Sequence, residues 1–352
     1  MHDAAPHPSC KSPPQRRAGV LHCADAMKKF LNRPDDFVQE MVSGFAESHA
    51  QLVVMNRSPL YLRRRAVKRR GVAVVSGGGS GHEPLDIGYV GAGMLDAACP
   101  GAVFTAPTPG QIVAAAEHVG RGEGVVLIVK NYAGDLKSFE LARDMLDMPV
   151  RWVLVNDDVA GVGPDLLAGR RGVAGTVVVE KIVGAAAERG LSLDDCKRLG
   201  DRANQSTATM GVAFTNCSVP GAAATFEIGA DEMEMGVGLH GEPGRTRVAA
   251  MDATAIAKAL LEPIVQDLKL VRGHAVLLLT NGLGGTPLGE LYLLHAAARA
   301  ELMRLGIEIK RALVGNHATA LETAGASLSA CVLDDELLAL WDAPVRTAAL
   351  RW

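Results

Sequence analysis

Gly124-Val125-Val126-Leu127-Ile128-Val129 runs without a polar side chain into Lys130-Asn131-Tyr132-Ala133-Gly134-Asp135, and an amphipathic stretch from Leu136 to Leu146 follows. A short apolar run with no alternation, closed by a polar turn, reads as a strand buried on both faces, the kind found in parallel sheets packed between helices. The same unit lies on either side of it. Gly71-Val72-Ala73-Val74-Val75 precedes it and Trp152-Val153-Leu154-Val155 follows, each leading into a helix-like segment, so the series is β-α-β. A second set opens at Met210-Gly211-Val212-Ala213-Phe214-Thr215 and continues through residues 275–280 and 307–314. Helices are expected over residues 109–119, 136–146, 176–188, 193–205, 253–268 and 288–305, several of them opening after Pro, Asp or Ser as helix starts prefer. The expectation is an α/β protein of two α/β domains, with mainly parallel sheets flanked by helices and the active site at the carboxyl ends of strands. The polar stretch Asn204-Gln205-Ser206-Thr207 puts the boundary near residues 205 to 210. An N-terminal domain over 27–208 would then hold most of the ligand loops, and a C-terminal domain over 209–352 would carry His240.

The totals agree with that division. A chain of 352 residues is long for one core and fits two. With 48% hydrophobic and 21% charged residues, 39 glycines and 4% aromatics, the balance is that of a loop-rich α/β protein. A formal charge of −3 offers no field for nucleic acid, and the short clusters Arg63-Arg64-Arg65 and Lys68-Arg69-Arg70 read as solvated surface. The six cysteines have no C-x-x-C spacing, which argues against a zinc site or a disulfide framework and for a reducing, cytoplasmic compartment. No stretch approaches the ~20 apolar residues of a membrane helix. Residues 1–26 lack the apolar centre of a secretory signal; they are expected to be a disordered extension or to precede the true start at Met27.

Four loops at the expected strand ends carry the chemistry. In Ser76-Gly77-Gly78-Gly79-Ser80-Gly81-His82-Glu83-Pro84 the glycines allow close backbone approach and free N–H groups, which suits an anion or a hydroxyl. A plain turn is the bland alternative. The loop is not a G-x-G-x-x-G fingerprint, since His82 stands where the third glycine belongs, and the chain holds no G-x-x-x-x-G-K-[ST]; nucleotide binding by this chain therefore lacks support. Lys130 and Asp135 set an ammonium and a carboxylate at one sheet edge, able to address the hydroxyls of a polyol. Asp135 is either a general base for phosphoryl transfer or the N-cap of a helix beginning at Leu136. In Glu234-Met235-Gly236-Val237-Gly238-Leu239-His240-Gly241-Glu242-Pro243-Gly244, small neighbours leave room against one imidazole. That ring is either a nucleophile that adds to a ketone to give a hemiaminal or an ordinary hydrogen-bonding histidine. Thr280-Asn281-Gly282-Leu283-Gly284-Gly285-Thr286-Pro287-Leu288 has no acid, base or nucleophile and is read as support.

These four segments, with Phe104-Thr105-Ala106-Pro107-Thr108-Pro109 and Trp341-Asp342-Ala343-Pro344-Val345, resemble in order the substrate-binding K subunit of the dihydroxyacetone (glycerone) kinase family, over residues 27–352. The resemblance implies that His240 forms the hemiaminal with the ketose, that His82 and Asp135 assist proton removal, and that Gly79, Ser80, Gly81, His82, Lys130 and Asp135 line the substrate. It leaves open which of His82 and Asp135 is the base, and it implies no metal. It further implies a homodimer and a separate L-type subunit carrying the nucleotide (ATP or ADP) and Mg, since the chain stops at Trp352 before any such domain. The donor would be ATP, or phosphoenolpyruvate through an M-type phosphotransferase subunit. A sensing co-activator of the same fold and a kinase for a related ketose such as erythrulose are the alternatives. Asp86 stands where a second histidine is common, and His317 and Thr323 where a tyrosine and a methionine are common, which bears on substrate size.

Overall fold

The computed structural model describes residues 29–120, 122–160, 169–221, 227–242 and 244–352; the expectations for residues 1–26 lie outside it. The strand that opens the sequence argument is β5 (Val125–Lys130), and its neighbours are β3 (Ala73–Ser80) on one side and β6 (Val150–Val155) on the other, both parallel to it. With β1 (Val53–Arg57), β2 (Leu60–Arg64) and β4 (Ala97–Val103) they make a six-stranded sheet in the order β1-β2-β4-β3-β5-β6. β3 and β4 are parallel, while β1 and β2 form a hairpin whose second strand pairs antiparallel with β4.

Side-chain alternation explains why both faces are apolar. Val75, Leu127 and Val129 point to a layer that holds Ile112, Ala115 and Ala116 of α2 (Pro109–Val119) and Phe139 and Ala142 of α3 (Ala133–Met145). Val74, Val126 and Ile128 point the other way, onto α4 (Thr176–Glu188), α5 (Leu193–Gln205) and Val42 of α1 (Phe37–Ser48). Every residue of α4 from Thr176 to Ala187 is buried. A helix apolar on all sides belongs between two layers.

The second layer is another sheet. It contains β7 (Thr207–Ala213), β8 (Glu232–Met235), β9 (Thr246–Ala249), β10 (Ala275–Gly282), β11 (Glu308–Gly315) and β12 (Gly325–Val332), in the order β11-β10-β12-β7-β8-β9. Leu277 and Leu279 face inward, to the cluster that includes α4 and Leu337, Leu340 and Trp341 of α8 (Asp335–Trp341). Val276 and Leu278 face outward, to α6 (Ala253–Asp267) and α7 (Leu288–Arg304).

Mixed α/β architecture with two helix-flanked sheets is thus present, and the parallel core of the first sheet is as expected. The second sheet departs from the expectation: only β10 and β11 are parallel, and the other four pairings are antiparallel. The reason lies in the connections. A parallel neighbour needs a long crossover, which α7 supplies between β10 and β11, whereas the turn 316–324 returns the chain on the other side of β10 in the opposite direction. The last residues then cross back to the first half: Arg346 N–H donates to Ala92 C=O (2.9 Å) and Ala349 N–H to Gly88 C=O (3.0 Å).

Candidate functional site

β3 ends at Ser80, so most of the glycine-rich stretch is strand rather than loop. Its glycines answer to neighbouring protein. A side chain at Gly79 would come within 2.6 Å of Thr105 N and 2.7 Å of Phe104 Cα; one at Gly81, where φ is +99°, would meet the Phe104 ring at 2.9 Å and Leu321 at 3.1 Å. The sequence suggested free N–H groups here, but the Gly81 N–H donates to the Glu83 carboxylate at 3.0 and 3.1 Å. Likewise the Ser80 hydroxyl donates to Gly101 C=O at 2.8 Å and so ties the end of β3 to β4.

That packing delivers His82. Its ring stacks on Phe104 (5.1 Å, 18° between planes), and Nδ1 lies 2.8 Å from the Thr319 carbonyl oxygen. A carbonyl only accepts, so Nδ1 carries the hydrogen and Nε2 keeps a lone pair; Nε2 is buried without a partner. Burial, with the neighbouring His240 and Lys130, holds the imidazolium pKa well below the usual histidine value.

His240 meets this ring edge-on, its centroid 4.8 Å from that of His82, 5.5 Å from Phe104 and 4.2 Å from Tyr132, with interplanar angles of 81°, 89° and 89°. Burial is again the main cause of a lowered pKa, with Lys130 and Arg171 adding to it and Glu242 opposing. Both imidazoles are therefore neutral near pH 7, the form in which nitrogen is a nucleophile or a base.

The loop bearing His240 is held from the first half of the chain. The His240 N–H donates to Glu242 Oε2 (2.8 Å), and Arg171 donates to Glu242 Oε1 (2.9 Å), Asp158 Oδ2 (2.6 Å) and Gly236 C=O (2.6 Å). Gly238 is glycine because a side chain there would collide with the Glu242 carboxylate.

Lys130, at the end of β5, does not present its ammonium to an open space. Nζ donates to Gly77 C=O (2.9 Å) and to Asp86 Oδ1 and Oδ2 (2.9 and 3.0 Å), beneath the glycine strand. A side chain at Gly78 would run into this ammonium at 2.9 Å. Ser76 also donates to Asp86, at 3.2 Å. Against Asp86 lies the fully buried Glu180 of α4; burial, then the Asp86 and Lys130 charges acting in opposite senses, leave its carboxyl pKa well raised. Neither Glu180 oxygen has a hydrogen-bond partner at normal geometry among the described residues.

Asp135 sits in the first turn of α3 and is buried. The N-cap reading fails, because the helix begins at Ala133 and its N-cap position is Tyr132, which makes no side-chain cap bond. Burial raises the Asp135 pKa to about 7, with Lys130 opposing and Asp86 reinforcing. Phe104, Tyr132, Arg171, Thr319 and Glu180 were not singled out in sequence; only Phe104 and Tyr132 fall in quoted motifs, and nothing local marks the others. Among the described residues no cluster of three His, Cys, Asp or Glu side chains is placed to hold a metal, and no helix is long and apolar enough to cross a membrane.

His82 and His240 thus stand ring against ring, with Lys130 and Asp135 buried at the end of β5 and the start of α3. Residues 43–349 match the family model described as the Dak1 domain, and the chain belongs to that family. It is 46% identical over 314 residues to the PTS-dependent dihydroxyacetone kinase 1, dihydroxyacetone-binding subunit DhaK, of Listeria innocua, covering 88% of this chain and 95% of that one. It is 42% identical over 355 residues to the PEP-dependent dihydroxyacetone kinase, dihydroxyacetone-binding subunit DhaK, of Escherichia coli, covering 93% and 99%. Among solved structures it is similar to the dihydroxyacetone kinase operon co-activator Dha-DhaQ, with a TM-score of 0.82, 34% identity and coverage of 88% and 97%.

Proposed function

We propose that this chain is the dihydroxyacetone-binding subunit of a dihydroxyacetone kinase, which captures the ketose on His240 and offers its hydroxyl to a phosphoryl donor on a separate L-type subunit. The observation that carries the reading is the edge-on pair of neutral imidazoles, one of them with a buried, unpartnered Nε2. The unprotonated ring nitrogen of His240 adds to the carbonyl carbon; the C=O π pair moves to oxygen, which takes up a proton while the other ring nitrogen gives one up. The adduct is a neutral hemiaminal. Glycerol matches the ketose in size and hydroxyls but has no carbonyl to add to, so capture selects between them.

In the transfer step the substrate O–H gives its proton to a base as its oxygen attacks phosphorus and the donor's leaving group departs. Asp135, with a pKa near 7, is the better base at neutral pH, and His82 Nε2 is the acceptor that orients the hydroxyl. Lys130, bound to Asp86, acts on the site through its charge. Nucleotide and Mg belong to the partner subunit; the names of the bacterial relatives favour a phosphoenolpyruvate-driven relay through an M-type subunit. Homodimer assembly and a cytoplasmic setting go with this reading.

A second reading, a ketose-sensing co-activator, is favoured by the likeness to the Dha-DhaQ structure. Native mass spectrometry with dihydroxyacetone, on the wild type and on His240→Ala, tests capture; a turnover assay with an L-type subunit separates the two readings. A ketose-sized mass gain lost in His240→Ala, with turnover, supports the kinase subunit. Capture without turnover favours the co-activator. No adduct in the wild type, with glycerol bound equally well, refutes covalent capture.

A further inference from the structure

The Thr319 carbonyl that fixes the His82 tautomer lies in the turn 316–319 between β11 and β12, and belongs to the second half of the chain. This turn is joined to the His82 segment along its length. Thr319 N–H donates to His82 C=O (3.1 Å), Leu321 N–H to Gly81 C=O (2.8 Å), and the Thr319 hydroxyl to Glu83 C=O (2.9 Å). A turn with no helix or strand of its own needs something to hold it.

That something is Asn281 of β10, which is fully buried. Its Oδ1 accepts from both His317 N–H and Ala318 N–H at 2.9 Å, and its Nδ2 donates to Ala318 C=O at 2.8 Å and to Ser327 Oγ at 3.2 Å. Two acceptor sites and two donor hydrogens are all that an amide side chain has, and here all four are used. The rigid strand is thereby bolted to the turn one residue away from the carbonyl on which His82 depends. No apolar residue and no carboxylate reproduces this pattern: a carboxylate could accept from the two N–H groups but would face Ala318 C=O with a lone pair.

We infer that Asn281 is a positioning residue for His82, setting through the 316–319 turn the tautomer that keeps Nε2 unprotonated. The catalytic consequence rests on the function proposed above; the positioning itself does not. Asn281→Asp in the full chain, with 15N-labelled histidine, reads it directly, because two-bond 1H–15N correlations report the tautomer of each ring, and His82→Gln assigns the signal. In the wild type His82 is expected in the single Nδ1–H form, and in Asn281→Asp as a mixture of both tautomers. The variant's kcat is expected to fall by up to roughly a hundredfold, the low end of what a positioned proton-transfer group contributes, with KM for the ketose and the His240 adduct retained. A single Nδ1–H form in Asn281→Asp overturns the inference. A mixed tautomer with undiminished kcat supports it and removes His82 from the proposed transfer step instead. Should the variant not fold, hydrogen exchange on the wild type decides: His317 and Ala318 amides exchanging as slowly as those of β10 support the clamp, and exchange as fast as in an untethered turn overturns it.

Discussion

Replacing Glu242 by alanine removes two contacts at once: the acceptor for His240 N–H at 2.8 Å and the partner of Arg171 at 2.9 Å. Hydrogen bonds to a charged group contribute about 1.5–3 kcal/mol. The Glu242 side chain is 31% exposed, so solvent screening puts this one at the low end, about 1.5 kcal/mol. If that energy holds His240 where its nitrogen meets the ketone, its loss corresponds to roughly tenfold weaker capture, at ~1.4 kcal/mol per decade. Glu242→Gln keeps an oxygen for the His240 N–H but loses the charge, and its expected loss is about half as large in energy, roughly threefold. Arg171 retains Asp158 in both variants, so neither leaves a buried cation unpaired. Calorimetric titration with dihydroxyacetone should therefore rank wild type, Glu242→Gln and Glu242→Ala in falling affinity, with thermal stability nearly unchanged. Capture by Glu242→Ala within twofold of wild type would refute the idea that the Arg171–Glu242 tie positions His240.

Three further outcomes follow from the buried charges. Because the folded pKa of Asp135 is raised to about 7, the carboxyl is neutral below and ionised above that value, so turnover should rise with pH through about 7, and Asp135→Asn should abolish that limb. The folded chain holds the Asp135 proton in a window where the unfolded chain has released it. Its contribution to stability is therefore present below about pH 4 and lost as pH rises to about 7, and urea unfolding should find Asp135→Asn gaining on wild type across that window. Asp86→Asn strips the buried Lys130 of its anion and should cost about 3–5 kcal/mol, whereas Glu180→Gln, at a carboxyl whose pKa burial holds well above the usual value, should stay within ~1 kcal/mol. Equal costs in denaturant titrations would refute the reading of Asp86, rather than Glu180, as the counter-ion of Lys130.

Strands buried on both faces announce themselves, and β5 was legible because Val125 through Val129 are apolar whichever way they point. β12 was not. Its Ser327 and Ser329 are polar residues inside a sheet, satisfied by Asn281 and Thr209 across the strands, and such pairings are invisible until the chain is folded. β8 and β9 are four residues each, too short for a periodicity to register. In the site, glycine flanking marked His82 and His240, and the resemblance to a known family assigned their roles. The glycines also answer to packing that the sequence does not display: Gly79 and Gly81 make way for Phe104 and Thr105. Lys130 was legible at its sheet edge, but its bond to Asp86 was not, since that partner is distant in sequence and set by packing. Arg171 carries no local signal, because it acts on a loop from the opposite half of the chain, and Asn281 fell in a segment read only as support because its partners, His317 and Ala318, are brought to it by folding.

That crossed ownership has a consequence for when the protein becomes reactive. His82 is anchored by a carbonyl 237 residues further along the chain, and the loop bearing His240 is tied to Arg171, synthesised 71 residues before Glu242. A nascent chain that has not yet delivered Thr319 has its first imidazole unanchored and free to carry its hydrogen on either nitrogen. On the function proposed above, carbonyl chemistry is withheld until nearly the whole polypeptide has been made and its two sheets have closed on α4, so that a truncated translation product is a bystander to its own ligand.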